Sequence, residues 1–233
     1  MNFLGKLRPL DHAKRQADRR YKGLPMHSGP PPLLSVGDLQ GADVFFCYGS
    51  KETIPWWAIT YGSSGPYVHV AIYLANGWVA EATPKGVVKT DIGEFLSRYL
   101  YVAATRCPGV HGIPDLMSKV EDFCHSNIRV NTKYDYLGAV LSPLFEFVEL
   151  KITSATRMPF PIKWPRRKNR TFCSQFVLDA FVDGGYVPDD DWCLGARSPT
   201  ALAEDNIFEL LGYLSQSGEV SLLSNDLFWT GGG

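Results

Sequence analysis

Thiol hydrolysis needs a thiol, an imidazole and a carboxylate, and Cys173, His69 and Glu81 supply them in places where local structure would suit the task. Cys173 lies in the stretch Asn169 to Gly185, Asn-Arg-Thr-Phe-Cys-Ser-Gln-Phe-Val-Leu-Asp-Ala-Phe-Val-Asp-Gly-Gly. Phe172, Phe176, Val177, Ala180 and Phe181 recur along one face of a helix. Asn169 or Thr171 provides a start signal and Gly184-Gly185 a stop. Cys173 then falls in the first turn, where unpaired N–H groups and the helix dipole favour an anion. A thiol there is pushed towards thiolate, and the same N–H groups can cradle an oxyanion. A free cysteine in an apolar stripe serves equally well as a small buried hydrophobe, so the nucleophilic reading depends on a partner.

His69 is that partner. It lies in Tyr67 to Leu74, where Val68, Val70, Ile72 and Leu74 alternate with Tyr67, His69, Ala71 and Tyr73. The spacing predicts a strand with His69 off the apolar stripe. Asn76-Gly77 signals a turn, and Trp78 to Thr83 returns as a second strand carrying Glu81. A two-residue turn would pair Ala75 with Trp78 and set Glu81 on the apolar face. A three-residue loop with Gly77 left-handed would pair Leu74 with Trp78 and make Glu81 a diagonal neighbour of His69. The second register also groups Trp78, Ala80 and Ala82 with the valine stripe, whereas the first buries a carboxylate, which is costly. The second is preferred. A carboxylate suits the third position because it fixes the imidazole tautomer and stabilises the imidazolium beside a thiolate.

Other reactive side chains have weaker settings. His111 lies between glycines and His125 follows Cys124 on a predicted helix, neither with an evident partner, and His12 and His27 belong to the N-terminal segment. Cys47, Cys107, Cys124 and Cys193 lack a helix start or an obvious base. No His, Cys or carboxylate pair recurs at metal-ligand spacing, so neither a metal nor another cofactor is expected.

The elements around these residues follow in order. Asp43 to Tyr48 is a strand candidate, and Ile54 to Tyr61, with Trp56 and Trp57, is an apolar stretch of open type. Gly86 to Thr90 predicts a short strand. Asp91 to Tyr99 predicts a helix with Ile92, Phe95, Leu96 and Tyr99 inward, and Leu100 to Arg106 another strand. Pro114 to Cys124 reads as a helix, and Tyr134 to Leu150 as a helical stretch interrupted at Pro143. Residues 151 to 168 are loop-like, with a basic run of Lys163, Arg166, Arg167, Lys168 and Arg170. Tyr186 to Asp191 is an acidic turn, Ser198-Pro199 a helix start, and Val220 to Leu223 a candidate last strand. Gly231 to Gly233 should be loose.

Residues 1–34 form a basic arm ending in a proline linker, either solvated or docking an assembly partner. Residues 35–233 form one domain, with an insertion at about 141–168. At 233 residues and 45% hydrophobic, the chain can bury a sizeable core. A net charge of −1 argues against a general nucleic-acid binder. Five cysteines without a Cys-x-x-Cys pair predict neither a disulfide framework nor zinc, and suit folding in a reducing compartment. No stretch has the length of a transmembrane helix. Met1 to Leu10 lacks a signal-peptide core, which predicts synthesis in the cytoplasm without secretory export.

His69 to Leu74 (His-Val-Ala-Ile-Tyr-Leu), Val79 to Thr83 (Val-Ala-Glu-Ala-Thr) and Phe172 to Val177 (Phe-Cys-Ser-Gln-Phe-Val) resemble the circularly permuted branch of the NlpC-type papain-like cysteine hydrolases, to which the YiiX-like proteins belong. In unpermuted members the cysteine helix precedes the histidine strand, and here it follows. Gly37-Asp38-Leu39 resembles the family's opening and Tyr134-Asp135-Tyr136 its tyrosine segment before the nucleophile. Gln175 stands where some relatives carry Glu. The resemblance spans about residues 36 to 205. It implies an α+β papain-like core with a curved antiparallel sheet packed against the nucleophile helix. It also implies Cys173 as nucleophile, His69 as general base, Glu81 as its orienter, and Tyr134 and Tyr136 on the substrate side.

Three functions fit that resemblance. One is cleavage of amide bonds in peptidoglycan peptides, with the protein carried in a phage tail or injection device docked through the arm. The second is lipid or acyl amide chemistry, for which Trp56, Trp57, Phe145 and Phe147 would line an apolar pocket. The third is a structural virion or adaptor protein with a vestigial site.

Overall fold

A computed structural model describes residues 32–49, 66–142, 169–186, 198–203, 207–221 and 226–228. Eight strands and six helices carry these residues. The strands are β1 (Val44–Tyr48), β2 (Tyr67–Leu74), β3 (Trp78–Thr83), β4 (Gly86–Asp91), β5 (Tyr101–Arg106), β6 (Lys133–Tyr134), β7 (Arg170–Thr171) and β8 (Glu209–Leu214). The helices are α1 (Ile92–Ser97), α2 (Pro108–His111), α3 (Pro114–Arg129), α4 (described over 136–142), α5 (Cys173–Asp183) and α6 (Pro199–Ala203). Six strands form one curved sheet in the order β4-β3-β2-β1-β5-β8, every neighbouring pair antiparallel, while β6 and β7 pair in parallel beside it. Pairing at one edge also involves the chain before β1. Leu34 N–H donates to Tyr213 O and Tyr213 N–H to Pro32 O, an approach that a Cβ at Gly212 would block.

The β2–β3 hairpin takes the register that the apolar pattern favours, with Leu74 opposite Trp78, Tyr73 opposite Val79 and Ile72 opposite Ala80. Its loop, residues 75–77, places both Asn76 (φ 65°) and Gly77 (φ 81°) in the left-handed region, and Gly77 N–H donates to Tyr73 Oη at 2.9 Å. Trp78 departs from expectation. It is partly exposed, and Lys89 Nζ lies over its ring at 4.2 Å instead of core atoms.

A second departure lies at the start of β2. The ladder pairs Cys47 with His69 but Tyr48 with Tyr67, so Val68 is an extra, bulged residue. Tyr67 consequently joins the face of Val70, Ile72 and Leu74, and Val68 joins Ala71 and Tyr73, the reverse of simple alternation. A second bulge between Ala104 and Thr105, facing β8, adds to the bend.

Both faces of the sheet are cores. α3, α5 and α6 cover one, with Val120, Cys124, Phe176, Val177, Phe181 and Leu202 packed on the Val70–Ile72 stripe. α1 covers the other with Ile92, Phe95 and Leu96, capped at its start by Asp91 accepting from Gly93 and Glu94 N–H. The face carrying His69 is thus buried as well, because the helix at 92–97 folds back over it.

Several elements differ from the sequence expectation. α2 is an unforeseen helix started by Pro108, and α3 runs well past Cys124. Lys133–Tyr134 is a strand before the helix at 136–142. The last described strand is β8, not Val220 to Leu223, of which Val220 and Ser221 are irregular. His111 has partners after all. Its Nε2 lies 3.2 Å from Asp43 Oδ1 and 2.9 Å from Gly41 O, while Arg106 donates twice to the same carboxylate. Ile54 to Tyr61, the arm before residue 32, Phe145 and Phe147, residues 151–168, Cys193 and 231–233 lie outside the described residues.

Asp226 ties the sheet to the end of the chain. Fully buried, it accepts from the hydroxyls of Tyr67 (2.9 Å), Tyr101 (2.7 Å) and Tyr213 (2.6 Å), one each from β2, β5 and β8, and from Phe228 N–H (2.9 Å). Removing the shared acceptor strands several buried donors, whereas removing one hydroxyl strands none. Asp226→Ala is expected to lower unfolding free energy by roughly 3 kcal/mol and Tyr67→Phe by only about 1 kcal/mol. Urea denaturation checks this, and equal losses would contradict it.

Candidate active site

α5 begins at Cys173 itself. Its N-cap residue is Phe172, in extended backbone (φ −126°, ψ 170°), not Asn169 or Thr171. The reason lies one element earlier. Arg170 and Thr171 form β7 beside β6, with Thr171 O accepting from Asp135 N–H at 2.8 Å and Asn169 O from Lys133 N–H at 3.1 Å. This pairing holds the chain extended until Phe172, whose O accepts the first helical bond from Phe176 N–H. Phe172 has no side-chain oxygen with which to cap, so the start of α5 gains no cap from its own N-cap residue.

The three residues singled out by type and spacing come together. Cys173, 7% exposed, lies close enough to His69 to favour the protonated imidazole. His69 Nε2 lies 3.0 Å from Glu81 Oε2. Glu81 is fully buried, contrary to the expectation that this register would spare the carboxylate burial. The register is right but the carboxylate is stabilised differently. Thr90 Oγ1 donates to Glu81 Oε1 at 2.6 Å and Arg98 Nη2 donates to the same oxygen at 2.5 Å. With His69 on the other oxygen, the buried charge is paired and hydrogen-bonded.

These contacts set the charge states. Burial opposes charge on His69, yet hydrogen bonds to Cys173 and Glu81 and their negative charge lift its pKa to about 9. Burial likewise opposes ionisation of Glu81, but His69 and Arg98 together hold its carboxyl down at about 2. Cys47, opposite His69 in the ladder, is pushed the other way. Burial and the Glu81 charge raise its thiol well above the ordinary range, so it does not compete for the imidazole's proton.

The tyrosines divide. Tyr134 packs against the core cluster that contains Cys173, and burial together with the Cys173 charge raises its hydroxyl. Tyr136 is exposed, meets Tyr134 edge-on at 5.0 Å, and donates from its hydroxyl to Pro84 O at 3.2 Å. Of the pair, Tyr134 packs on the core cluster that contains Cys173, while Tyr136 faces outward.

Sequence reasoning missed Thr90, Phe95, Arg98 and Tyr99 as members of the site. The Tyr99 ring stacks on the His69 imidazole (5.9 Å, 9°), Phe95 lies 6.3 Å from it, and the Arg98 guanidinium covers both aromatic rings. The spacing of Phe95 and Tyr99, i and i+4, is a signal for those two alone. Phe95 and Tyr99 are legible as inward-facing, and Arg98 lies between them on the same turn.

No protein-family model matches the chain, and no curated protein matches it. Among solved structures, the crystal structure of the metalloprotein YiiX from Escherichia coli O157:H7 (DUF1105) is similar to it, with a TM-score of 0.51 at 14% identity over 76% of this chain and 98% of that one. The similarity extends to the fold: a mixed α+β architecture built on a curved antiparallel sheet. No helix of the described residues is long and apolar enough to cross a membrane.

The two shifted groups predict a pH profile of stability. Glu81, held low, stabilises the fold fully above about pH 4.5, an effect lost as pH falls towards 2. His69, held high, stabilises it fully below about pH 6.5, an effect lost as pH rises through 9. Both report one shared interaction and do not add. Its acid limb amounts to roughly 3 kcal/mol. Urea denaturation from pH 3 to 10 is expected to show greatest stability between about 4.5 and 6.5. Glu81→Gln is expected to flatten the acid limb, and an unchanged limb in that variant would contradict the assignment.

Proposed function

We propose that this protein is a cysteine hydrolase of the permuted NlpC-type, papain-like kind, with Cys173 as nucleophile, His69 as general base and acid, and Glu81 as the group that orients the imidazole. One observation carries the reading: a thiol at the first position of a helix stands beside an imidazole whose Nε2 lies 3.0 Å from a buried, ionised carboxylate.

The chemistry follows from those positions. The Cys173 sulfur, its proton held by His69, attacks an amide carbonyl to form a C–S bond. The carbonyl electron pair moves to oxygen, where the backbone N–H of Cys173 and the start of α5 stabilise it. The intermediate collapses by breaking the C–N bond while His69 returns its proton to the amine. A thioester is left on Cys173. Water, deprotonated by His69, then cleaves the thioester and restores the thiol.

The substrate class best matched by the sequence resemblance is a peptide amide of peptidoglycan. Delivery by a phage tail or injection device, docked through the basic arm, would bring the protein to that substrate. A second reading, hydrolysis or transfer of an acyl amide, is favoured by a separate observation. Leu137 and Val140 are exposed on α4, the helix that carries Tyr136, whose ring meets that of Tyr134. A vestigial site fits less well, since every polar atom of Glu81 is engaged in holding His69 or in being held.

YiiX is called a metalloprotein, but the residues of this site do not suit a metal. Glu81 carries a guanidinium on one oxygen, which repels a cation, and His69 Nε2 is spent on the other. No group of three or more His, Cys, Asp or Glu among the described residues is arranged to hold an ion.

Incubation with purified muropeptides and, separately, with N-acyl amides tests the reading. Mass spectrometry is expected to find amide cleavage and a thioester adduct on Cys173. Turnover should be lost in Cys173→Ala and fall by 10²-fold or more in His69→Ala. Cleavage that survives Cys173→Ala would refute it.

A further inference from the structure

We infer that Arg98 is a positioning residue for Glu81: from the end of α1 it holds the carboxylate against His69 and compensates its charge, and so sets the pH at which the imidazole yields its proton. This deepens the hydrolase reading and rests on it only for the consequence to catalysis.

The geometry is that of a bracket made by the last turn of α1 and the two residues that follow it. Phe95, Arg98 and Tyr99 stand at i, i+3 and i+4, so their side chains lie side by side. The Arg98 guanidinium carbon sits 5.2 Å from the Phe95 ring centroid and 5.8 Å from that of Tyr99. Tyr99 stacks on His69 at 5.9 Å and Phe95 packs against Tyr99 at 5.2 Å. The same stretch therefore backs the imidazole with a ring and delivers a cation to the carboxylate behind it. Arg98 is also the C-cap residue of α1, where the helix dipole favours positive charge.

Glu81 Oε2 faces His69, and Oε1 takes both Thr90 and Arg98. With both oxygens held, the carboxylate cannot rotate away from the imidazole without losing a charge-assisted bond in a buried setting. The charged and titratable groups around His69 are Cys173 from α5, Glu81 from β3, Cys47 from β1 and Tyr99 beyond α1. Those on Glu81 are His69 and Arg98, with Thr90 from β4 as a neutral donor. Cys47 and Tyr99 are both raised by burial and stay neutral across the range of interest. The alternation thiol or thiolate, imidazolium, carboxylate, guanidinium leaves Arg98 as the group that balances Glu81. Without it, His69 would face an uncompensated buried negative charge and hold its proton to higher pH.

The test reads His69 directly. Proton–nitrogen NMR titration of the imidazoles, with His69 assigned by its disappearance in His69→Gln, gives the midpoint in the full chain. Arg98→Met is expected to raise that midpoint by about one pH unit. Arg98→Lys, which keeps the charge but loses the stacked fork, is expected to return it close to the starting value. In a Glu81→Gln background, adding Arg98→Met is expected to change the midpoint little, because the effect passes through Glu81. Melting curves confirm folding, and Arg98→Gln replaces the Met variant if that one does not fold. A midpoint unchanged or lowered by Arg98→Met, or an equal rise in the Glu81→Gln background, would overturn the inference. Failure of the hydrolase reading looks different: Cys173→Ala would retain amide cleavage while the His69 titration still answered to Arg98.

Discussion

A carboxylate with no exposed surface cannot stay ionised unless donors surround it, and Glu81 imposes that demand on everything nearby. One oxygen requires an imidazole from β2, which fixes the hairpin register. The other requires a hydroxyl from β4 and a guanidinium from α1, which fixes how the helix after β4 folds back over the sheet. A charge that would be destabilising alone becomes the point where three neighbouring elements agree. The contact with Glu81 leaves His69 with a high affinity for a proton at the side of Cys173.

The cysteine side of the site obeys a different constraint. α5 must begin at residue 173 and nowhere earlier, and the parallel pairing of β6 with β7 enforces this by keeping Arg170 and Thr171 extended. An apolar N-cap then leaves the first turn of α5 without the side-chain cap that a Ser, Thr, Asp or Asn would supply. Phe172, Phe176 and Phe181 anchor the helix in the core, so the position of the thiol depends on burial of its own stripe.

Much of this was readable in advance, and the reasons differ from residue to residue. The hairpin register followed from strict alternation around an Asn-Gly turn, and the helix face of Cys173 from its aromatic spacing. The bulge at Val68 was not readable, because one extra residue in a ladder leaves no mark in a run of alternating apolar types. Arg98 was hidden because an arginine on a short helix looks solvated until the buried acid it faces is known. The β8 strand, Glu209–Leu214, mixes a glycine with leucines and carries no clear strand signal, although its pairing with β5 completes the sheet. The N-cap of α5, Phe172, lies one residue past Thr171 and three past Asn169, because these polar residues resemble caps while a parallel strand pairing uses their backbone instead.

The claim at the centre is that Cys173 and His69 act as one activated pair, and the rate of Cys173 alkylation by iodoacetamide against pH tests it most directly. An activated pair gives a rate already high near pH 7 and at least tenfold lower there in His69→Ala. A rate that rises only around pH 8.5, as an ordinary thiol's does, and is the same in both proteins would contradict it.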